Sequence, residues 1–235
     1  MSPVDPDLES DAIESLFSRG VTDGLPVVPP TRRLVERAVA ASGRDGGELV
    51  ALVPPNYGRA TVEKLAVNAV MAGCRPEYMP VVIAAIEAIC DEAFDLHGVS
   101  ATTNAPAPLV IVNGPIRAEL EINSGAGVFG PGWRANATIG RAVRLVCVNL
   151  GGARPGDVSM STLAHPGRYA YCIGEHEEAS PWESLAVEHG FGPSRAPSPC
   201  SPPTRRSAST RSEAARPTIS CRRSPLAWPS SPITG

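Results

Sequence analysis

Apolar residues recur at helical spacing in several stretches of the chain and gather into short continuous runs in others, with proline and glycine at the breaks. Between Asp7 and Arg19, Leu8, Ile13, Leu16 and Phe17 share one side of a helix with acidic residues early in it. Thr31 stands where the cap of a helix to about Ala41 is expected. Thr61 does the same for a helix with Val62, Leu65, Ala66, Ala69 and Val70 on its apolar side, ending near Gly73. A third helix starts at Pro76 or Pro80 and runs through Val81, Ala85 and Ile89; both its faces are apolar, which predicts burial. Asn136 to Asn149 reads as a helix stopped by Gly151-Gly152, and Pro181 to Glu188 as a last short one.

Three runs read as strands. Glu48 to Val53 is short and apolar and stops at Pro54-Pro55. Ala107 to Asn113 is continuous and rich in β-branched residues, and Arg168 to Ile173 alternates through Tyr169, Tyr171 and Ile173. Three prolines hold Thr22 to Thr31 as an extended loop. Short strands alternating with helices place the chain in the α/β or α+β class. The expected organisation is an N-terminal helical segment over 1–21, an α/β domain over 22–192, and a tail over 193–235.

The tail changes the picture of charge. The chain carries −3 overall, but 193–235 holds seven Arg against one Glu, so the remainder is strongly acidic. Pro, Ser and Arg dominate it, with too few apolar residues to offset the entropy of ordering. Three readings compete: a disordered tail, a basic arm for an acidic partner, and an out-of-frame reading of a GC-rich gene. The last is favoured, because Lys64 is the only lysine beside twenty arginines, and Ala, Gly and Pro abound. On that reading the α/β domain is incomplete and a natural C-terminal half is missing. An incomplete fold would expose apolar surface, and a homo-oligomer stays open. The acidic ordered part argues against nucleic acid as a partner.

No apolar run reaches the ~18–20 residues that span a bilayer, and the acidic N-terminus is no signal peptide. A cytoplasmic location without membrane partners is expected. Six cysteines without a Cys-x-x-Cys pair then read as free thiols.

The densest candidate chemistry lies in Asn123-Ser124-Gly125-Ala126-Gly127-Val128-Phe129-Gly130-Pro131-Gly132-Trp133-Arg134-Ala135-Asn136, directly before a helix. Glycines let a ligand approach the backbone closely, and a helix start favours negative charge. Asn123, Ser124, Gly125, Gly127, Gly130, Gly132, Arg134 and Asn136 are therefore candidate ligand-binding residues for a phosphate, carboxylate or oxyanion. The loop matches neither a Walker nor a dinucleotide pattern, and a bulky turn is the competing reading. Cys74, beside Arg75 and ahead of a helix start, suits a low-pKa nucleophile or redox thiol, or else a packing residue. His97 is the first choice for proton transfer. Asp23 offers a carboxylate in the proline loop, or a local turn bond. His97, His165 and Glu175 could build a metal site, but no helical zinc spacing occurs, solvent-exposed or hydrogen-bonded loop histidines are the favoured reading, and no metal ligand is assigned. Glu175, Glu177 and Glu178 otherwise read as a solvated acidic loop, and Arg141 and Arg144 as a solvated or ion-paired helix face.

Four separated segments, Thr22–Thr31 (TDGLPVVPPT), Asn68–Tyr78 (NAVMAGCRPEY), Phe129–Arg141 (FGPGWRANATIGR) and Glu177–Glu183 (EEASPWE), together resemble a bacterial family some of whose members are associated with (seleno)proteins named for a Sec/Cys-Gly-Ser-Cys motif. The resemblance spans about residues 20–192, and family members continue into a further α/β half. It implies such a (seleno)protein as a partner, although that motif is absent from this chain. It assigns no cofactor and no catalytic residue. The expectation is thus an enzyme acting on a small anionic or thiol-containing molecule through an anion-binding loop and a reactive cysteine. The alternatives are a non-catalytic binding or scaffold subunit of a redox-associated complex, and a metal-dependent lyase or hydrolase.

Overall fold

A computed structural model describes residues 6–188, together with the backbone of 219–223. Helix α1 (Pro6–Ser18) leads through the proline loop to α2 (Arg32–Ser42). The hairpin β1 (Leu49–Val53) and β2 (Gly58–Thr61) follows, then α3 (Val62–Ala72) and α4 (Met79–Ile89). Next come α5 (Leu96–Ala101), β3 (Pro108–Val112), α6 (Ile116–Glu119) and α7 (Arg134–Asn149). Strand β4 (Cys172–Gly174), α8 (Leu185–Glu188) and β5 (Ile219–Arg223) complete the described chain.

Thr31 stands at the N-cap of α2 but makes no side-chain cap hydrogen bond, whereas the limits of α3 follow from capping chemistry. Thr61 Oγ1 accepts the Lys64 N–H at the start of α3, and Gly73 closes that helix in the left-handed region at φ 89°. Gly43 closes α2 in the same way at φ 68°. Helix α4, apolar but for Glu87, is buried as its composition requires: Met79, Val81, Val82, Ala85, Ile86 and Ile89 are all fully enclosed. Helices α3, α4 and α7 supply most of the core, where Leu65, Met79, Ile86, Ile89, Ile139 and Leu145 are among the largest side chains wholly removed from water. Leu16 of α1 joins the same core. The proline loop runs extended against α3, with the Val28 N–H on the Met71 carbonyl at 3.1 Å.

Strand β3 is the centre of a mixed three-stranded sheet ordered β4-β3-β5. It pairs parallel with β4, Val110 opposite Cys172 and Val112 opposite Gly174, and antiparallel with β5, Val112 opposite Ile219. Helix α7 packs on β4 and α4 on β3. The approach of α7 is close enough that a Cβ at Gly140 would collide with the Tyr171 backbone nitrogen. The β1–β2 hairpin is a separate two-stranded antiparallel unit.

Several elements depart from the sequence reading. The strand expected over Arg168–Ile173 is confined to β4, because Pro166–Arg168 form a 3₁₀ turn instead. The last helix shrinks to α8, and α7 starts two residues early, at Arg134. Helices α5 and α6 and strand β2 are additional to the elements that the sequence pattern predicts. Strand β5 falls in the tail, where backbone pairing with β3 needs none of the side-chain alternation that the sequence lacks. The rest of 189–235, with the expectations placed on it, lies outside the described residues. No helix among the described residues is long and apolar enough to cross a membrane.

Candidate functional site

The glycine loop folds on itself. Asn136, 5% exposed in the first turn of α7, clasps the backbone of Asn123: its Oδ1 accepts the Asn123 N–H at 2.8 Å and its Nδ2 donates to the Asn123 carbonyl at 2.9 Å. The Gly125 N–H donates to Asn123 Oδ1 at 2.9 Å, and the Gly130 N–H to the Gly127 carbonyl at 2.7 Å. Gly127 and Gly132 take positive φ to make the turns. Ser124 packs against Gly174 at the end of β4. The donors expected to cradle an anion at Gly125, Gly130 and Asn136 are therefore spent inside the loop.

Arg134 points away from the loop. Its Nε and Nη2 donate to the Gly73 carbonyl at 3.2 and 2.9 Å, satisfying the C-terminal end of α3. There it shares a cleft of about 510 Å³ with Cys74, Arg37, Arg75 and Glu77. The Cys74 Sγ–H donates to the Thr138 carbonyl at 3.2 Å. Burial pushes this thiol up to about 12, and the Thr138 bond and the Arg134 charge only partly oppose that. The expected thiolate is thereby reversed into a protonated thiol, because sequence neighbours announce charge but not enclosure.

Asp23 is also committed. Its carboxylate receives Arg141 Nε and Nη2 at 2.8 Å each, and the Leu25 N–H at 3.3 Å. Arg141 further donates to the carbonyls of Leu25 and Pro26. Burial alone would raise the Asp23 carboxyl, but the Arg141 hydrogen bonds and charge outweigh it and hold the group below the usual carboxylate range. This is a bridge between the proline loop and α7, in place of the free carboxylate expected of a catalytic Asp23.

His97 is exposed on α5 and lines neither the Cys74 cleft nor the one described below. The acidic loop is not merely solvated. Glu175 accepts from Asn113 Nδ2 and from the Leu185 N–H, and Glu177 accepts the Gly114 N–H at 2.6 Å. Arg117, 8% exposed, pairs with Glu177 and Glu178 at 3.4 and 2.7 Å. His97, His165 and Glu175 are thus not assembled, and among the described residues no group of three His, Cys, Asp or Glu is arranged to hold a metal ion.

A different cleft carries stronger chemistry. It encloses about 550 Å³ between α1, the proline loop, α7 and the segment 154–169. Helix α7 contributes Arg144, the following loop Arg154, Ser159 and Ser161, and the 3₁₀ turn His165 and Arg168. Arg144 Nη2 donates to the Ala153 carbonyl at 3.1 Å and Arg154 Nη1 to the Gly20 carbonyl at 2.7 Å. Arg168 Nη2 donates to Ser159 Oγ at 2.8 Å. Among the described residues no carboxylate stands within ion-pairing distance of these three guanidiniums. Burial first, and then the charge of Arg144, push the Arg168 guanidinium below its ordinary value.

Three side-chain atoms of the residues that line the cleft, Ser161 Oγ, His165 Nε2 and Arg168 Nη1, are buried from solvent and have no hydrogen-bond partner among the described residues. Each such atom costs about 1–3 kcal/mol relative to a satisfied one. His165 Nδ1 accepts the Gly167 N–H at 3.1 Å, so a neutral imidazole carries its hydrogen on Nε2. The three guanidiniums give the cleft its positive charge, and its carboxylate, Asp23, is already taken by Arg141. Phe17, Val148 and Tyr169 line the cleft elsewhere. A concave space of this size, mostly apolar with a few convergent polar groups, is typical of small-molecule sites.

Comparisons with models of known protein families, with curated proteins and with solved structures returned no match to this chain.

Proposed function

We propose that this chain acts on a small organic anion held in the cleft of Arg144, Arg154 and Arg168. The observation that carries this reading is one cleft lined by three guanidiniums that have no carboxylate partner among the described residues. Guanidinium forks match carboxylate and phosphate oxygens, and an incoming anion would supply the negative charge that the three lack. His165, rather than His97, is the imidazole that lines this cleft.

The reading separates from the Cys74 cleft by mutation. Isothermal titration of inorganic phosphate and of benzoate into the full chain should give saturable binding of at least one. Arg168→Met should weaken it at least tenfold, as expected for loss of hydrogen bonds to a charged group worth about 1.5–3 kcal/mol. Cys74→Ser should leave it unchanged. Binding that survives Arg168→Met but is lost on Arg134→Met would move the site to the Cys74 cleft and refute this assignment.

A further inference from the structure

Resting on that reading, we propose that the ligand is a phosphate monoester, or a like tetrahedral dianion, joined to an apolar or aromatic body. Charge argues for the dianion. The cleft holds three guanidiniums, and the negative charge of Asp23 is cancelled by Arg141. A carboxylate would leave two cations facing each other across a partly desolvated wall, whereas a dianion leaves one.

The layout of donors argues for a tetrahedral group. They come from three separate stretches: Arg144 on α7, Arg154 on the following loop, and Arg168 on the 3₁₀ turn. A planar carboxylate is satisfied by a single bidentate fork. Donors distributed around a wall suit a group with three outward oxygens.

Size and lining argue for the body. The cleft of about 550 Å³ far exceeds the needs of a free oxyanion. Phe17 from α1, Val148 from α7 and Tyr169 beside the 3₁₀ turn add apolar surface to the same cavity.

The test is isothermal titration of the full chain at constant ionic strength with three probes: phenyl phosphate, inorganic phosphate and benzoate. Phenyl phosphate should bind at least tenfold tighter than either of the others. Arg154→Met should weaken phenyl phosphate at least fivefold, with circular dichroism confirming that the fold survives loss of the bond to the Gly20 carbonyl, and Tyr169→Ala should weaken phenyl phosphate but not inorganic phosphate. An advantage below tenfold over benzoate overturns the dianion, and one below tenfold over inorganic phosphate overturns the apolar body. In both cases Arg168-dependent binding would leave the anion site itself standing. Absence of binding by all three probes overturns the anion site and the ligand class together.

Discussion

Replacing Asp23 by Asn removes the charge of the bridge between the proline loop and α7 while keeping its shape. In the folded chain the Asp23 side chain is 4% exposed and that of Arg141 16%. Breaking a buried ion pair by removing one partner costs about 3–5 kcal/mol, because the other charge is stranded. Arg141 keeps the carbonyls of Leu25 and Pro26, at 3.2 and 2.8 Å, and some contact with water. We therefore expect a loss of about 2–3 kcal/mol at pH 7, near the value of hydrogen bonds to charged groups. In a chain of this size that lowers the melting temperature by roughly 4–12 °C. The sign with pH is fixed by linkage. Because the folded carboxyl titrates below its unfolded value, its stabilisation is complete above the usual carboxylate range and is lost as pH falls through the folded value. Thermal or urea unfolding of both proteins between pH 7 and pH 3 should show a gap that is full at pH 7 and shrinks below about pH 4. A gap under ~0.5 kcal/mol at pH 7, within the range of ordinary surface substitutions, or a gap that widens on acidification, would refute the bridge.

Two further outcomes follow from the same geometry. Iodoacetamide near pH 7.5 should label Cys74 more slowly than the cysteines of the urea-unfolded chain, as its raised thiol requires; mass-spectrometric mapping that found Cys74 labelled fastest would restore the nucleophile. Asn136→Ala should destabilise the chain by about 2 kcal/mol, through two lost bonds and an unpaired Asn123 backbone, and limited proteolysis should then cut within 123–133 sooner than in the wild type.

The helical core was legible because its signals are local. Thr61 and Gly73 bracket α3, and the apolar character of α4, interrupted only by Glu87, announces burial. Short elements escaped for the converse reason. Helices α5 and α6 span six and four residues, too few for a period to appear, and β2 and β5 owe their state to a partner strand. The candidate site escaped differently. Glycine density marked the 123–133 loop, yet sequence does not reveal that Asn136 and Gly127 would absorb its donors. Arg144, Arg154, Ser161, His165 and Arg168 share no motif, and a chain with twenty arginines makes each one uninformative. A usable hint was present in the two Pro-Gly turns, Arg154-Pro155-Gly156 and His165-Pro166-Gly167-Arg168, each carrying cations into one short segment. That they face a single cavity is a product of the fold of 151–169 against α7 and α1.

The most direct test reads the cleft itself. Long-range ¹H–¹⁵N correlation resolves the ring nitrogens of the four histidines in this chain, assigned by single His→Gln variants. Adding inorganic phosphate, and separately benzoate, at constant pH and ionic strength should shift His165 Nε2 saturably with at least one of them, while His97 stays in place. If neither anion, nor phenyl phosphate added in a third titration, moves His165, the arginine cleft is not the anion site and the account fails.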